Sequence, residues 1–505
     1  MSLEAYSNII SHLQTELLRQ DVHQSDLYSC GLTVLELLKT VCRKFNNLFA
    51  VQSASSIQQN VNNATSDSFG SSRLSLPTIS SILLVLFKLA KENINSIPFN
   101  LVPYHWLRLY TDVSILLSLH EIVLSLQVSK KADARPLWES VVKHVDMATI
   151  VAGAVGEGRQ GWIGIIIEEA RRRVKHTNVE PILKRVRPAS FDMQPQVYSA
   201  TSVLSSPLYA PAHIKILDIP PSITKYNSEN YDQPFIIRGF LSDSKLSSFW
   251  PAIHRWKSVD YLLEIAGPGR VVPVETGRAY DDLDWGQSIV PFTEFLYQVG
   301  FHRSKDNGLS VATDSKPLYL AQYGLFQQFP ELLRDITYPD YVWSSPPAPT
   351  SYPTYQPPKT EDGVILNVWV GSGNSEIISP AHTDPYFNCY AQVLGQKRVW
   401  LAPPSCSPYM YTYGSNNQSF ESRNNGEGHN MSEQYMSNTS AVPILRPSES
   451  FDSLSLTFPA FFKEVWPHSR EAVLNPGDIL VMPPGWWHAM RGEGEEPVWS
   501  VSMWY

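Results

Sequence analysis

The sequence predicts an α+β protein in two parts, a helical N-terminal domain over residues 1–185 and a strand-rich domain over 230–505, joined through 186–229. Three observations predict it. Before residue 180, apolar residues recur at intervals of three and four, the spacing that lines one face of a helix. After residue 230, short β-branched and aromatic runs alternate with Pro/Gly turns, the pattern of an antiparallel sandwich or barrel. Between the two the texture turns Pro- and Ser-rich and ends in LDIPPSITKYNSENYDQ, as a domain junction does. At 505 residues the chain is also too long for one core of ordinary size.

The helical pattern is clearest in GLTVLELLKTVCRKFNNLF, WLRLYTDVSILLSLHEIVLSL and IGIIIEEARRRVKH. A polar stretch, QSASSIQQNVNNATSDSFGSS, interrupts it and reads as a disordered loop. The predicted strands are PFIIRGF, RVVPVE, LYLAQY, GVILNVWVG, NCYAQVLGQKRVWLAP, DILVMPP and VWSVSMWY. A biased segment at about 403–453 is too long for a hairpin loop and reads as a flexible insertion.

Composition narrows the function. The net charge of −8 argues against a general phosphate-binding surface, so no direct contact with nucleic acid is expected. Four cysteines without a CxxC spacing indicate neither a disulfide framework nor a structural zinc site. The N-terminus lacks the pattern of a signal peptide, and ISSILLVLFKLA is too short to span a bilayer. The expected setting is therefore nuclear or cytoplasmic, neither secreted nor membrane-bound.

One stretch carries chemistry: ISPAHTDPYFNCYAQVLGQKRVW, residues 378–400. On an extended backbone His382 and Asp384 point to the same face, so an imidazole and a carboxylate can converge on one ion. His488, after the Pro-Pro-Gly turn of NPGDILVMPPGWWHAMRG, offers a third ligand. Two histidines and a carboxylate fill one face of an octahedral metal and leave three positions open, the arrangement of non-haem Fe(II) oxygenases. The same HxD spacing at His144 and Asp146 lies in the helical half, where residues two apart do not face each other. Such an oxygenase needs an acidic co-substrate, and Lys397 can carry an ammonium inward to a carboxylate. A solvent-facing lysine beside a hairpin turn is the alternative. Asn388 shares the parity of His382 and Asp384.

SPAHTDPYFN, GQKRVW and, about a hundred residues later, GDILVMPPGWWH together resemble the JmjC-domain 2-oxoglutarate oxygenases of the cupin superfamily. VVPVETGRAYDDLDW, LYLAQYGLFQQFPELLRDITYPDY and SVSMWY are similar to its protein-arginyl-hydroxylase branch, whose members were also proposed to be lysine demethylases. The resemblance implies a double-stranded β-helix for residues 230–505, with Fe(II) as cofactor and 2-oxoglutarate and O2 as co-substrates. By motif position His382, Asp384 and His488 match the metal ligands. Tyr319, Ser379, Asn388 and Lys397 match the co-substrate binders, and Glu275, Tyr280 and Trp369 the residues that hold a substrate arginine. No catalytic group beyond the metal centre is implied.

The partner implied is a protein or peptide with a basic side chain, ribosomal, chromatin-associated or other, with the helical domain recruiting it. Asp281, Asp282 and Asp284 would add negative potential, or form only a solvated acidic loop. Methyl-lysine demethylation by the same site is the alternative reaction. A non-catalytic JmjC-like adaptor is the alternative from another class. The chain departs from the compact family pattern in its 403–453 insertion and in the loop APTSYPTYQPPKTEDG.

Overall fold

The computed structural model describes residues 3–18, 26–58, 68–127, 134–175, 210–228, 232–282, 284–302, 316–373, 377–413, 436–446 and 451–505. The chain divides into two compact units, Met1–Asp192 with Ala266–Val272, and Met193–Ile265 with Pro273–Tyr505.

Among its described residues the first unit holds six α-helices: α1 (Leu3–Leu18), α2 (Leu32–Gln58), α3 (Ser68–Asn95), α4 (Tyr104–Gln127), α5 (Arg135–Ala152) and α6 (Arg159–Lys175). Their apolar faces meet in one core that includes Ile10, Leu38, Phe45, Leu83, Val113, Leu119, Val145 and Ile166. α4 is long and apolar enough, by length and composition, to cross a membrane, but 83% of its most apolar window is buried inside the protein. Two charged residues on it are buried as well: Arg108 donates to Asp112 at 3.0 Å, and Arg159 of α6 reaches Asp112 at 2.9 Å. A polar network that saturates its own donors is the way a protein core accommodates such charges. Part of the loop expected at residues 52–72 is helical. α2 continues through Gln58 and α3 starts at Ser68, because low apolar content weakens a helix signal without forbidding the helix; residues 59–67 lie outside the described residues.

Among its described residues the second unit is built on fourteen strands. They are β1 (Ala212–His213), β2 (Lys215–Ile216), β3 (Phe235–Ile237), β4 (Val271–Thr276), β5 (Gly286–Pro291), β6 (Leu318–Tyr323) and β7 (Ile365–Gly371). There follow β8 (Ile378–Thr383), β9 (Asn388–Leu394), β10 (Gln396–Ala402), β11 (Arg470–Leu474), β12 (Ile479–Met482), β13 (Trp487–Glu493) and β14 (Val498–Trp504). One sheet runs β1-β11-β10-β13-β8, and the other β2-β3-β12-β9-β14-β7-β6-β4-β5. From β7 to β14 the chain thus changes layer at every step except β10 to β11, building two antiparallel four-stranded layers, which is the double-stranded β-helix. β1, β2 and β3 lengthen one end of each sheet, and β6, β4 and β5 extend the larger one.

Side-chain parity decides what faces the interior. Val399 and Leu401 of β10 pack with Met490 of β13 and, from the other sheet, with Tyr390, Leu480 and Met482. Lys397 and His488 share the parity of those inward residues, and Asn388 that of Tyr390. The opposite face of β10 and β13, with Trp400, Ala402, Trp487 and Ala489, is covered by Phe458, Phe461 and Val465.

Two predicted boundaries move. Residues 210–228, expected as junction, carry β1 paired parallel to β11 and β2 paired parallel to β3. Ala266–Val272, expected in the second domain, belongs to the helical unit, where Arg270 forks onto buried Asp146 at 3.0 and 2.9 Å.

Candidate metal and co-substrate site

β8 and β13 are neighbours, and their register places His382 directly opposite His488. The imidazole centroids are 4.1 Å apart. Asp384, one residue beyond the end of β8, brings Oδ2 to 3.4 Å from His488 Nε2. The ligand atoms of all three lie within 4.8 Å of one another. Bonds of about 2.1 Å at right angles set neighbouring ligands roughly 3 Å apart, so the set can close on one octahedral face.

Each histidine is fixed for that task. His382 Nδ1 lies 2.8 Å from the Pro380 carbonyl and His488 Nδ1 3.1 Å from the Trp486 carbonyl. An Nδ1–H donated to a carbonyl leaves Nε2 with its lone pair, the tautomer a metal ligand needs. Burial and the neighbouring His488 hold His382 down at about 4, so it is neutral at physiological pH. Burial opposes ionisation of Asp384, but its close approach to His488 and His382 outweighs that and lowers its pKa.

A cavity of about 440 Å³ opens beside this set, lined in part by Glu275, Tyr280, Tyr319, Trp369, Ser379, His382 and Asp384. Seven of the ten residues singled out in the sequence therefore share one wall. Of the other three, His488 joins through its cross-strand pair with His382. Lys397 joins through Tyr319, whose hydroxyl accepts from Nζ at 3.0 Å. Asn388 sits opposite Trp504 on β14, another residue of the cavity wall.

The electrostatics of the inner end are unusual. Lys397 is 3% exposed, which rules out the solvent-facing alternative. Its ammonium lies 5.5 to 5.8 Å from the rings of Tyr319, Tyr390 and Trp369. No carboxylate pairs with it among the described residues, and burial alone brings its pKa down to about 7. Asn388 Oδ1 is buried without a hydrogen-bond partner. A buried cation without an anion and an orphaned amide are both costly. A dicarboxylate with one end at the metal set and the other at Lys397 relieves the first and can engage the second, so the residues present fit a 2-oxoglutarate molecule.

Glu275 lies opposite Tyr319 on the paired strands β4 and β6, and burial raises its pKa. Tyr280 stands edge-on to His382, at 6.4 Å and 80°. Trp369 packs on Tyr319 at 6.1 Å and donates to Ser502 at 3.3 Å. It therefore flanks Lys397 as well as the cavity.

Other residues of the wall were not found by sequence reasoning. Met436, Asn438 and Thr439 come from the predicted insertion, and Thr439 pairs with His382 across an antiparallel bridge. Their polar run has no strand period, so nothing local marks it. The insertion is thus partly ordered: 436–446 lines β8, and a helix follows at Phe451–Thr457. Residues 414–435 and 447–450 lie outside the described residues. The acidic loop is not a free patch either, because Arg446 engages Asp281 and Asp282 at 2.7 and 2.9 Å. Asp284 faces Lys316 at 3.6 Å. The second HxD pair behaves as a helix predicts: burial lowers His144 to about 4, while Asp146 is held by Arg270.

Fold and site together define a double-stranded β-helix with a His/Asp/His set beside a pocket whose lining Tyr319 accepts from a buried lysine. The chain belongs to the cupin-like domain family, whose pattern matches residues 224–505. Its relatives carry Jumonji C or lysine-specific demethylase names. It is 31% identical over 295 residues to Jumonji C domain-containing protein 5 of Drosophila melanogaster, covering 57% of this chain and 60% of that protein. Lysine-specific demethylase 8 of Danio rerio is 32% identical over 289 residues, 56% of each chain. Lysine-specific demethylase JMJ30 of Arabidopsis thaliana is 30% identical over 279 residues, 53% of this chain and 52% of that one. The chain spans little more than half the length of these relatives.

Proposed function

We propose that this protein is an Fe(II)- and 2-oxoglutarate-dependent oxygenase that hydroxylates a protein side chain, an arginine in the first instance. The observation that carries the reading is the buried, anion-free ammonium of Lys397 in the same pocket as a convergent His/Asp/His set. His382, Asp384 and His488 would hold the iron, and Lys397, Tyr319, Ser379 and Asn388 would seat 2-oxoglutarate. The bound iron, with O2, couples conversion of 2-oxoglutarate to succinate and CO2 with insertion of one oxygen atom into a substrate C–H bond. The chain's own task is positional: to orient two ligands, keep the pocket dry and hold the target carbon near the metal. Glu275 gives that target its chemistry, because Glu275 and Asp384 are the carboxylates among the described lining residues and Asp384 faces the metal. A guanidinium can bind one carboxylate through two parallel hydrogen bonds.

Methyl-lysine demethylation is the second reading, favoured by the names of the Danio rerio and Arabidopsis thaliana relatives. Matched peptides carrying arginine, lysine or methylated lysine separate the two, with oxygenated product and formaldehyde as readouts. Arginine hydroxylation that falls at least about tenfold in Glu275→Ala, with peptide-independent succinate release retained, is the expected result, on the scale of a lost charged hydrogen bond. Formaldehyde from methyl-lysine, insensitive to Glu275→Ala and without hydroxyarginine, would make demethylation the better account. An adaptor without activity would release no succinate at all.

His382→Ala and Asp384→Ala test the metal set directly. Each removes one of three ligands while the strands keep their partners, so iron-dependent succinate release is expected to vanish from a protein with an unchanged circular dichroism spectrum. Turnover by soluble His382→Ala at the wild-type rate would reject the assignment.

A further inference from the structure

Two loops of different origin form one side of the cavity. Residues 277–282 carry Tyr280 to the edge of the His382 ring. Residues 436–446 carry Asn438 and Thr439, and are fastened to β8. Thr383 N–H donates to the Asn438 carbonyl at 3.1 Å, Ser440 N–H to the Ala381 carbonyl at 2.8 Å, and Asn438 Nδ2 to the Thr383 carbonyl at 2.9 Å. The 436–446 segment thus takes its position from the strand that bears His382.

The first loop takes its position from the second. Tyr280 and Thr439 face each other with their hydroxyls 3.4 Å apart, a separation that aligns the groups but is long for a hydrogen bond. The firm attachment is Arg446. Nη2 bonds Asp281 at 2.7 Å, Nη1 bonds Asp282 at 2.9 Å, and Tyr413 donates to the other oxygen of Asp281 at 3.4 Å. A planar guanidinium that uses separate nitrogens on two successive carboxylates fixes direction as well as distance. The two aspartates follow Tyr280 directly in the chain, so fixing them fixes the backbone that aims its ring. Side-chain exposures of 28% for Arg446, 8% for Asp281 and 21% for Asp282 put the group in partial shelter, where ion pairs are screened less than at an open surface.

We infer that Arg446 is a positioning residue for the substrate: its paired ion bridges lock the Tyr280 loop to the Thr439 segment and set the side wall beside His382 along which the target side chain lies. The inference rests on the oxygenase reading given above. It also gives Asp281 and Asp282 a role, since their charge is occupied by Arg446 and Glu275 is left to meet a cationic target. Without Arg446 the wall loosens and two acidic groups compete for that target. Peptide oxidation then suffers, while the metal ligands and Lys397 are untouched.

Two measurements on the full chain test this. Hydrogen–deuterium exchange compares wild type, Arg446→Ala and the charge exchange Asp281→Arg with Arg446→Asp. Turnover with iron, 2-oxoglutarate and a degenerate pool of Ala-Xaa-Arg-Xaa-Ala peptides compares oxygenated product with succinate released. In Arg446→Ala, exchange should rise about tenfold or more in both 277–282 and 436–446 with β7 and β14 unchanged, and product per succinate should fall about tenfold. The charge exchange should recover most of both. Exchange that rises only next to residue 446, or that also rises in β7 and β14, overturns the inference, as does an unchanged ratio of product to succinate. If the wild-type chain oxidises none of the pool, arginine hydroxylation fails on its own account, and the exchange pattern alone decides on the clamp.

Discussion

In water a lysine stays charged to about pH 10, but the Lys397 ammonium is enclosed by three aromatic rings, and burial lowers its pKa to about 7. The sign of the consequence follows. Between pH 7 and the ordinary lysine range, the unfolded chain binds a proton that the folded chain does not, so stability of the ligand-free protein rises with pH across that window. Binding of 2-oxoglutarate runs the other way. The dicarboxylate needs the ammonium, which is present before binding below pH 7 and must be acquired on binding above it. With saturating Mn(II) in place of iron, calorimetry should show affinity about 25-fold weaker at pH 8.5 than at pH 6.5, following the protonated fraction. Lys397→Met should bind about ten- to a hundredfold more weakly at pH 6.5, for a lost charged hydrogen bond of about 1.5–3 kcal/mol, and lose the slope. A flat wild-type profile would show that the ammonium does not face the ligand. The inward direction of this side chain was half legible in the sequence. Parity on a strand after a Gly turn allowed it, but parity alone does not say which face of β10 meets the other sheet, and that depends on where β12 and β9 lie.

The turn before β13 shows how an element delivers a ligand. Gly485 has φ +78°, in the left-handed region, and a Cβ there would come within 2.5 Å of the Tyr352 ring. Its N–H donates to the Asp384 carbonyl at 2.8 Å, so one residue anchors one ligand and lies three positions before another. Gly485→Ala combines backbone strain with a clash, roughly 1–3 kcal/mol each, and the easiest relief is displacement of the turn. We expect metal affinity at least about tenfold weaker, the equivalent of 1.4 kcal/mol, with far-ultraviolet circular dichroism unchanged. Wild-type metal affinity in Gly485→Ala would show that the turn yields elsewhere, at Tyr352. The strands flanking this turn were readable because their apolar runs end at Pro and Gly. The segment 436–440 was not. Its SNTS sequence has no apolar alternation and no large apolar residue, and it joins β8 through a bridge and backbone hydrogen bonds that only the tertiary structure supplies. Tyr352 escaped for a related reason, since the Pro-rich loop that carries it shows no period from which a neighbour could be inferred.

Each unit of the molecule has its own core: the helical one centres on Phe45, Val113 and Val145, the strand-rich one on Tyr390, Leu401 and Leu480. The division into a helical and a strand-rich half was legible because the apolar period changes from 3.6 to 2 along the chain. The membership of Ala266–Val272 was not, since it turns on the buried pair of Arg270 with Asp146, 124 residues apart. Separate cores have a thermodynamic consequence. In the helical unit Asp112 is the shared acceptor of Arg108 and Arg159, whose side chains are 8% and 0% exposed. Asp112→Ala removes one of two carboxylates that both guanidiniums share, since each also bonds Glu16, at a cost of about 1.5–3 kcal/mol. Mn(II) with 2-oxoglutarate acts on the other unit, stabilising it by about 2.7 kcal/mol at a hundred times the dissociation constant. Denaturant unfolding followed by hydrogen exchange and mass spectrometry resolves the two. Asp112→Ala should lower the midpoint for peptides of α4 and α6 and leave those of β9 and β14 in place. The ligands should raise the midpoint for β9 and β14 and leave α4 and α6 in place. A common midpoint that moves for every peptide in both experiments would mean that the two cores unfold as one cooperative body.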